Sequence, residues 1–241
     1  MQNLDYDKMA STYARHRTAN QLVLSELRRK WKSSPESKIL EVGCGTGLYL
    51  KALTETIGCK GWGIDPSQGM LRYAVDSEDI HFFEGVAEEL PFEASFFDLA
   101  FSVNVIHYIK NTQDYFREAL RVLKPYGLIC TATDSEKIIR NRKPLAQYWP
   151  GTVEADLGRY PKIELLRRQM TEAGFVDIEE HETYRIFEVA DAAPYRDKAF
   201  SCLHLISEEE FLAGLQRLEI DLKTGPVHGM SEFVFLWGHR P

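Results

Sequence analysis

No apolar run in these 241 residues approaches the length that spans a bilayer, so a membrane-embedded helical protein is excluded. The first residues, Met1-Gln2-Asn3-Leu4-Asp5-Tyr6-Asp7, lack the basic-then-apolar pattern of a secretory leader. Cysteine is sparse: Cys44, Cys59, Cys130 and Cys202 show no C-x-x-C spacing, which gives no zinc or redox motif, and no metal site is expected. Cys44 and Cys130 lie in a glycine turn and an apolar run and read as small packed residues. These absences predict a reducing, cytoplasmic location. Positive charge is also short. Lys and Arg number 29 against 36 Asp and Glu, a net charge of -7, and no basic stripe runs along the chain. A protein that tracks nucleic-acid phosphates needs such a footprint, so neither a nucleic-acid nor a membrane partner is expected. Internal repeats and low-complexity segments are missing. What remains, 44% hydrophobic and 27% charged, is the composition of a globular chain with a sizeable core.

Glycine, by contrast, is concentrated where it matters. Ile39-Leu40-Glu41-Val42-Gly43-Cys44-Gly45-Thr46-Gly47-Leu48 runs from apolar residues into three alternate glycines. Leu48, Ala52, Leu53 and Ile57 then follow at helical spacing. The stretch reads as strand, tight turn and helix. Glycine admits backbone shapes that other residues resist and lets a ligand approach the main chain. The dinucleotide fingerprint G-x-G-x-x-G is not met, because Leu48 stands where its third glycine would fall. A second strand, Lys60 to Ile64, ends at Asp65-Pro66-Ser67. An acid at a strand's carboxyl end stands where open α/β sheets bind ligands, and it can accept hydrogen bonds from both hydroxyls of a ribose; a plain helix cap is the other use of such an acid.

The remaining pattern alternates strands and helices. Asn20 caps a helix bearing Leu24, Leu27 and Trp31, and Asn111 or Thr112 caps one bearing Tyr115, Phe116, Ala119 and Leu120. Lys124-Pro125-Tyr126-Gly127 stops that helix before a strand at Leu128 to Thr133. Residues 134–160 read as irregular, basic and then aromatic. Ile163, Leu166 and Met170 form a helix face closed by Gly174, and Val176 to Val189 reads as one long or bent strand. Ser207 and Glu210 form a capping box for a helix lined by Phe211, Leu215, Leu218 and Leu222. A last strand, Ser231 to Gly238, is expected to be antiparallel.

The block E-x-G-x-G-x-G resembles the first motif of the class I S-adenosylmethionine-dependent methyltransferases, in particular the type 11-like group that acts on small molecules. The resemblance covers residues 36–135 well and 160–240 at the level of topology. It implies a Rossmann-like α/β fold: a mostly parallel seven-stranded sheet, helices on both faces and an antiparallel last strand. It implies that Glu41, Gly43, Cys44, Gly45 and Gly47 pack against the methionine part of S-adenosylmethionine and that Asp65 and Pro66 meet the ribose. Gly85, Val86, Ala87 and Glu88 would run along the adenine; relatives often carry Asp where Val86 stands, so backbone groups or Glu88 would make that contact. Ser102, Val103 and Asn104 would lie at the cofactor edge, and Tyr13 and Arg17, in a Tyr-Asp…Tyr…Arg segment, would cover it.

The expected function is methyl transfer to a small molecule by a single methyltransferase domain, 1–241, capped by an N-terminal segment, 1–32, and an inserted segment, 190–225. The insertion is expected to set Tyr195, Phe200 and His204 at the acceptor mouth, with Tyr13, Arg17 and Trp149 opposite. The catalytic residue is left open, with His107, His204 and Tyr13 as candidates. A protein that binds S-adenosylmethionine without catalysis, or a nucleotide-cofactor oxidoreductase, would share much of the pattern. The acceptor atom and the oligomeric state are not legible.

Overall fold

The computed structural model describes residues 4–75 and 77–241, so the first three residues of the expected N-terminal cap lie outside it. The chain opens with helices α1 (Tyr6–His16) and α2 (Gln21–Lys30). Then come β1 (Lys38–Val42), α3 (Leu48–Ile57), β2 (Lys60–Asp65), α4 (Gln68–Leu71), β3 (Ile80–Glu84) and β4 (Phe97–Val103). A 3-10 turn (Ile106–Tyr108), α5 (Thr112–Val122) and β5 (Leu123–Thr133) follow. Three short helices, α6 (Glu136–Asn141), α7 (Leu145–Tyr148) and α8 (Gly151–Leu157), precede α9 (Ile163–Ala173) and β6 (Val176–Glu188). The chain ends with α10 (Ala193–Arg196), a second 3-10 turn (Ser201–His204), α11 (Glu208–Thr224) and β7 (His228–His239).

The seven strands form one sheet in the order β3-β2-β1-β4-β5-β7-β6. β7 runs antiparallel to both neighbours, and the other pairs are parallel. Successive side chains of a strand point to opposite faces, and here that alternation divides two cores. Leu40, Phe97, Ala100, Val234 and Leu236 pack under α5 and α9 with Tyr115, Phe116, Leu166 and Met170. Ile39, Leu99, Phe101, Phe235 and Trp237 pack under α2 and α3 with Val23, Leu24, Leu27, Leu50 and Leu53. Strand order reverses between β1 and β4, which opens a crevice at their carboxyl ends.

Four expectations change. Residues 134–160 are not irregular; they fold into α6, α7 and α8. Trp149 does not line a pocket wall: it is fully buried, stacked on Tyr195 with ring centroids 5.5 Å apart, and its indole N–H donates to the Phe211 carbonyl at 2.9 Å. The inserted segment therefore shares a third core with α7, containing Tyr148, Trp149, Tyr195, Leu203, Phe211 and Leu218. The capping box is half made. Ser207 Oγ accepts from the Glu210 N–H, but the Glu210 carboxylate reaches across to the Gly151 N–H at 2.6 Å, stapling α11 to α8. The stop after α5 lies inside β5, as a register shift with Tyr126 in the left-handed region at φ 65°.

Trp149→Phe keeps a ring in the third core but leaves the buried Phe211 carbonyl without its donor. Denaturant unfolding is expected to detect a loss of about 1–3 kcal/mol, the scale for an unsatisfied buried partner; an unchanged midpoint would show that the indole N–H contributes nothing.

Candidate functional site

The crevice floor is the glycine turn after β1. The N–H groups of Gly43 and Cys44 both donate to the Ile64 carbonyl, at 2.8 and 3.1 Å, which folds the turn over the end of β2. Gly43, Gly45 and Gly47 all hold positive φ, at 70°, 53° and 72°. Their surroundings differ. A Cβ on Gly43 would meet Val105 at 2.4 Å and one on Gly47 would meet Phe82 at 2.4 Å, so the protein's own packing demands both glycines. A Cβ on Gly45 would meet one Met70 methyl at 3.0 Å and otherwise open space. Of the three, Gly45 is the one beside which the protein leaves room. Cys44 is buried beside it, its thiol pushed well up by burial and by the nearby Glu41 and Asp65 carboxyls.

Glu41, expected against the ligand, instead supports the turn from below. Its Oε2 accepts the Leu50 N–H at 3.0 Å, satisfying the first turn of α3, and burial raises its pKa well above the ordinary carboxylate range. Asp65 sits at the end of β2 and joins two elements. Oδ2 accepts the Gly45 N–H at 2.8 Å and Oδ1 accepts the Ser67 N–H at 2.9 Å. It is thus both the turn acid and a brace for the glycine turn, and each oxygen keeps a lone pair for a further donor. Burial raises its pKa.

The third block lies alongside. The Gly85 N–H donates to the Asp65 carbonyl at 3.2 Å, Val86 is exposed and Ala87 is buried. Glu88, expected near an adenine, instead accepts the Lys110 and Asn111 N–H groups at 2.9 and 3.1 Å and so satisfies the start of α5. After β4, Ser102 is buried and accepts the Tyr115 hydroxyl at 3.2 Å, which makes it a core residue rather than an edge residue. Val103 packs on the core of the α2–α3 face. Asn104 differs: it holds φ 53°, its N–H donates to the Ala132 carbonyl, and its side-chain oxygen is sealed with no partner among the described residues. The Thr46 hydroxyl is sealed and unpartnered in the same way.

Helix α1 packs against α4. Tyr6 and Tyr13, seven apart, share one stripe of the helix, and Arg17 follows just past its end in extended backbone. Three fastenings hold α1 down. Asp7 accepts the Ser67 hydroxyl at 2.6 Å and the Gly69 N–H at 2.7 Å. Tyr6 donates to the Tyr108 hydroxyl. His16 pairs with Asp197 of the inserted segment at 2.6 Å. The Arg17 guanidinium lies over the rings of Tyr13 and Phe200, 5.4 and 4.9 Å from their centroids, and it has no carboxylate partner among the described residues.

A buried charge cluster, not anticipated from the sequence, closes the side beyond β5. Arg142 bonds Asp134 at 3.1 Å and also Asp156; Arg159 bonds Asp156 at 2.7 Å, the Tyr108 hydroxyl at 2.8 Å and Ser201 at 3.0 Å. Burial pushes the Asp134 carboxyl up to about 6. Two signals were in the sequence: Asp134 directly follows a strand, and Asp156 and Arg159 are three apart. Of the proton-transfer candidates, His204 holds the Lys198 carbonyl through Nε2 at 2.8 Å. Tyr13 stays on α1 beside Arg17. His107 stacks on Tyr160 at the edge of the cluster. Tyr195 lies in the third core, while Phe200 remains under Arg17.

A methyltransferase domain profile matches residues 40–131. Demethylmenaquinone methyltransferases of Staphylococcus aureus strains are 30% identical over 169 residues, covering 59% of this chain and 69% of theirs. The chain belongs to the class I S-adenosylmethionine-dependent methyltransferases. Among solved structures, a protein described as a methyltransferase of an antibiotic biosynthesis pathway in Anabaena variabilis superposes with a TM-score of 0.74 at 20% identity, over 92% of this chain and 98% of that one. The phosphoethanolamine N-methyltransferase 2 of Haemonchus contortus, solved with phosphomonomethylethanolamine and S-adenosylhomocysteine, gives 0.63 at 19% identity over 98% of this chain and 57% of that one. At these identities the superpositions establish the fold. The methyltransferase is an enzyme, and the oxidoreductase reading falls away. No helix among the described residues is long and apolar enough to cross a membrane.

Proposed function

We propose that this methyltransferase acts on a small acceptor enclosed between α1 and the charge cluster, with segments 1–32 and 190–225 serving as caps of one methyltransferase domain. The observation that carries this reading is the triple fastening of α1 to Ser67 and Gly69, to Tyr108 and to Asp197. A helix tied at three points suits enclosure of a small molecule better than passage of a polymer. The small-substrate names of the relatives, a demethylmenaquinone and a phosphoethanolamine, support it.

The residues fit the donor. Gly45 faces open space, and Thr46 and Asn104 carry sealed polar atoms that lack partners at the ends of neighbouring strands. S-adenosylmethionine, when bound, supplies a methyl group on a positively charged sulfur that needs no further activation. Asp65 would take ribose hydroxyls on its free lone pairs. Arg17, a cation without a carboxylate partner among the described residues, would meet the carboxylate of the methionine part. Backbone groups of residues 85–87 would flank the adenine, since Glu88 is engaged elsewhere. The protein's task is then to align donor and nucleophile and to exclude water.

Two measurements test the reading. Asp65→Ala is expected to weaken S-adenosylhomocysteine binding by roughly 1–3 kcal/mol in calorimetry, the scale for a lost buried partner; unchanged affinity removes Asp65 from the site. Incubation of a cell extract with methyl-labelled donor and the enzyme is expected to label the low-mass fraction. Label confined to protein or nucleic acid overturns the small-acceptor reading.

A further inference from the structure

His107 stands on the 3-10 turn after β4, with its ring stacked on Tyr160 at 3.8 Å between centroids and 17° between planes. The Tyr108 ring lies 4.0 Å away on centroids. Both ring nitrogens of His107 are sealed from solvent, and neither has a hydrogen-bond partner among the described residues. Buried polar atoms are satisfied as a rule, and an imidazole with two idle nitrogens marks a place where a ligand supplies the missing bonds.

The charges around it decide what kind of ligand. Arg142 is taken by Asp134 and Asp156, and Arg159 by Asp156, Tyr108 and Ser201. Two guanidinium groups and two carboxylates thus close on each other. An anionic acceptor finds no unpaired cation there and a cationic one no unpaired carboxylate; Nε of Arg142 is a buried guanidinium nitrogen of the cluster with no partner among the described residues. Tyr6, Tyr108 and Tyr160 add flat apolar faces around this point. We propose that His107 seats the methyl acceptor, and that the acceptor is a neutral aromatic hydroxyl or amine whose O–H or N–H donates to a His107 ring nitrogen.

This rests on the enclosed-acceptor reading and adds the substrate class to it. Burial, then the charges of Arg159 and Arg142, hold the His107 pKa well below its ordinary value. The ring is therefore neutral near pH 7, with one N–H and one free lone pair. The acceptor's lone pair forms the bond to the methyl carbon while the methyl–sulfur electron pair stays on sulfur. The acceptor's proton passes to His107 and on to solvent. The positive charge leaving sulfur reappears on the imidazole, so the charge of the site is the same before and after the step.

The test uses the enzyme saturated with S-adenosylhomocysteine and four calorimetric probes: naphthol, naphthylamine, methoxynaphthalene and naphthoate. Naphthol and naphthylamine are expected to bind best and naphthoate worst. His107→Phe is expected to weaken naphthol about tenfold and methoxynaphthalene by less than about threefold, because the latter has no proton to donate. Naphthol affinity in the wild type is expected to fall only below the ordinary histidine range, ~6.5, and that acid limb should vanish in His107→Phe. His107→Gln, which keeps an acceptor oxygen, should recover part of the naphthol affinity. Equal losses for both probes, preferential naphthoate binding, or no binding by any neutral probe would each overturn the proposal. Should the variants fail to fold, nitrogen NMR of labelled histidine in the wild type decides: naphthol must shift a His107 ring nitrogen, and an unshifted ring overturns it. Failure to take up S-adenosylhomocysteine at all would instead strike the reading of the cofactor crevice.

Discussion

Gly45→Val is expected to bind S-adenosylhomocysteine about a hundredfold more weakly than the wild type, ~2.7 kcal/mol, in a protein that still folds. Two facts set that outcome. The nearest atom to a new Cβ is a Met70 methyl at 3.0 Å, the end of a flexible side chain that can yield, so the branched side chain finds room in the apo protein. That room is the crevice itself, and the side chain would occupy it. The backbone at φ 53° adds strain of about 1–2 kcal/mol for a residue with a Cβ, which should appear as a modest drop in unfolding midpoint. The neighbouring glycines give the control. Gly43→Ala and Gly47→Ala drive a Cβ to 2.4 Å from Val105 and Phe82, so they should damage folding before binding. If Gly45→Val binds the ligand normally, the turn is scaffold throughout and the crevice has been assigned to the wrong place.

The contrast among these glycines marks the limit of what the sequence conveys. Three alternate glycines after an apolar run are visible in the chain, and so is Asp65 one strand later, because both follow from local periodicity. Which glycine is open depends on Val105 and Phe82, which arrive from β3 and the segment after β4. The same distinction runs through the rest of the chain. Helix α11, with its apolar stripe and Ser207 cap, was readable; helices α6, α7 and α8 were not, since segments of four to seven residues complete too few turns to print a period. The family resemblance placed Glu88 and Ser102 at ligand contacts, but they are held by the start of α5 and by Tyr115. The α1 fastenings join residues as far apart as Tyr6 and Tyr108 or His16 and Asp197, and no local pattern announces such pairs.

Asp156→Ala is expected to destabilise the fold by about 3–5 kcal/mol, the range for breaking a buried ion pair by removing one partner. Asp156 is wholly buried and serves two cations at once, Arg142 through one oxygen and Arg159 through the other. Their side chains are themselves only 15% and 11% exposed, so water cannot replace the lost carboxylate. Arg142 would keep Asp134, but Arg159 would be left a buried cation with only the hydroxyls of Tyr108 and Ser201. By comparison, Lys51→Ala at the exposed pair with Glu55 should cost less than about 0.5 kcal/mol. The cluster also predicts a dependence on pH. The Asp134 carboxyl is pushed up from 3.8 to about 6 by burial, with the charge of Asp156 adding to the rise. Between those values the folded state binds more protons than the unfolded state, so this group's contribution to stability falls as pH rises through the window, and the full penalty stands above it. Removing Asp156 takes away a negative neighbour, lowers the Asp134 pKa toward its ordinary value and shrinks that window. The stability gap between wild type and Asp156→Ala should therefore widen as the pH is lowered from ~7 to ~5, because the wild type gains from protonating Asp134 and the variant gains less. Denaturant unfolding of both proteins at the two pH values measures the gap directly. A constant gap would mean that Asp134 and Asp156 do not share one electrostatic site, and a gap below about 1 kcal/mol at neutral pH would mean that Arg159 finds another partner when Asp156 is gone.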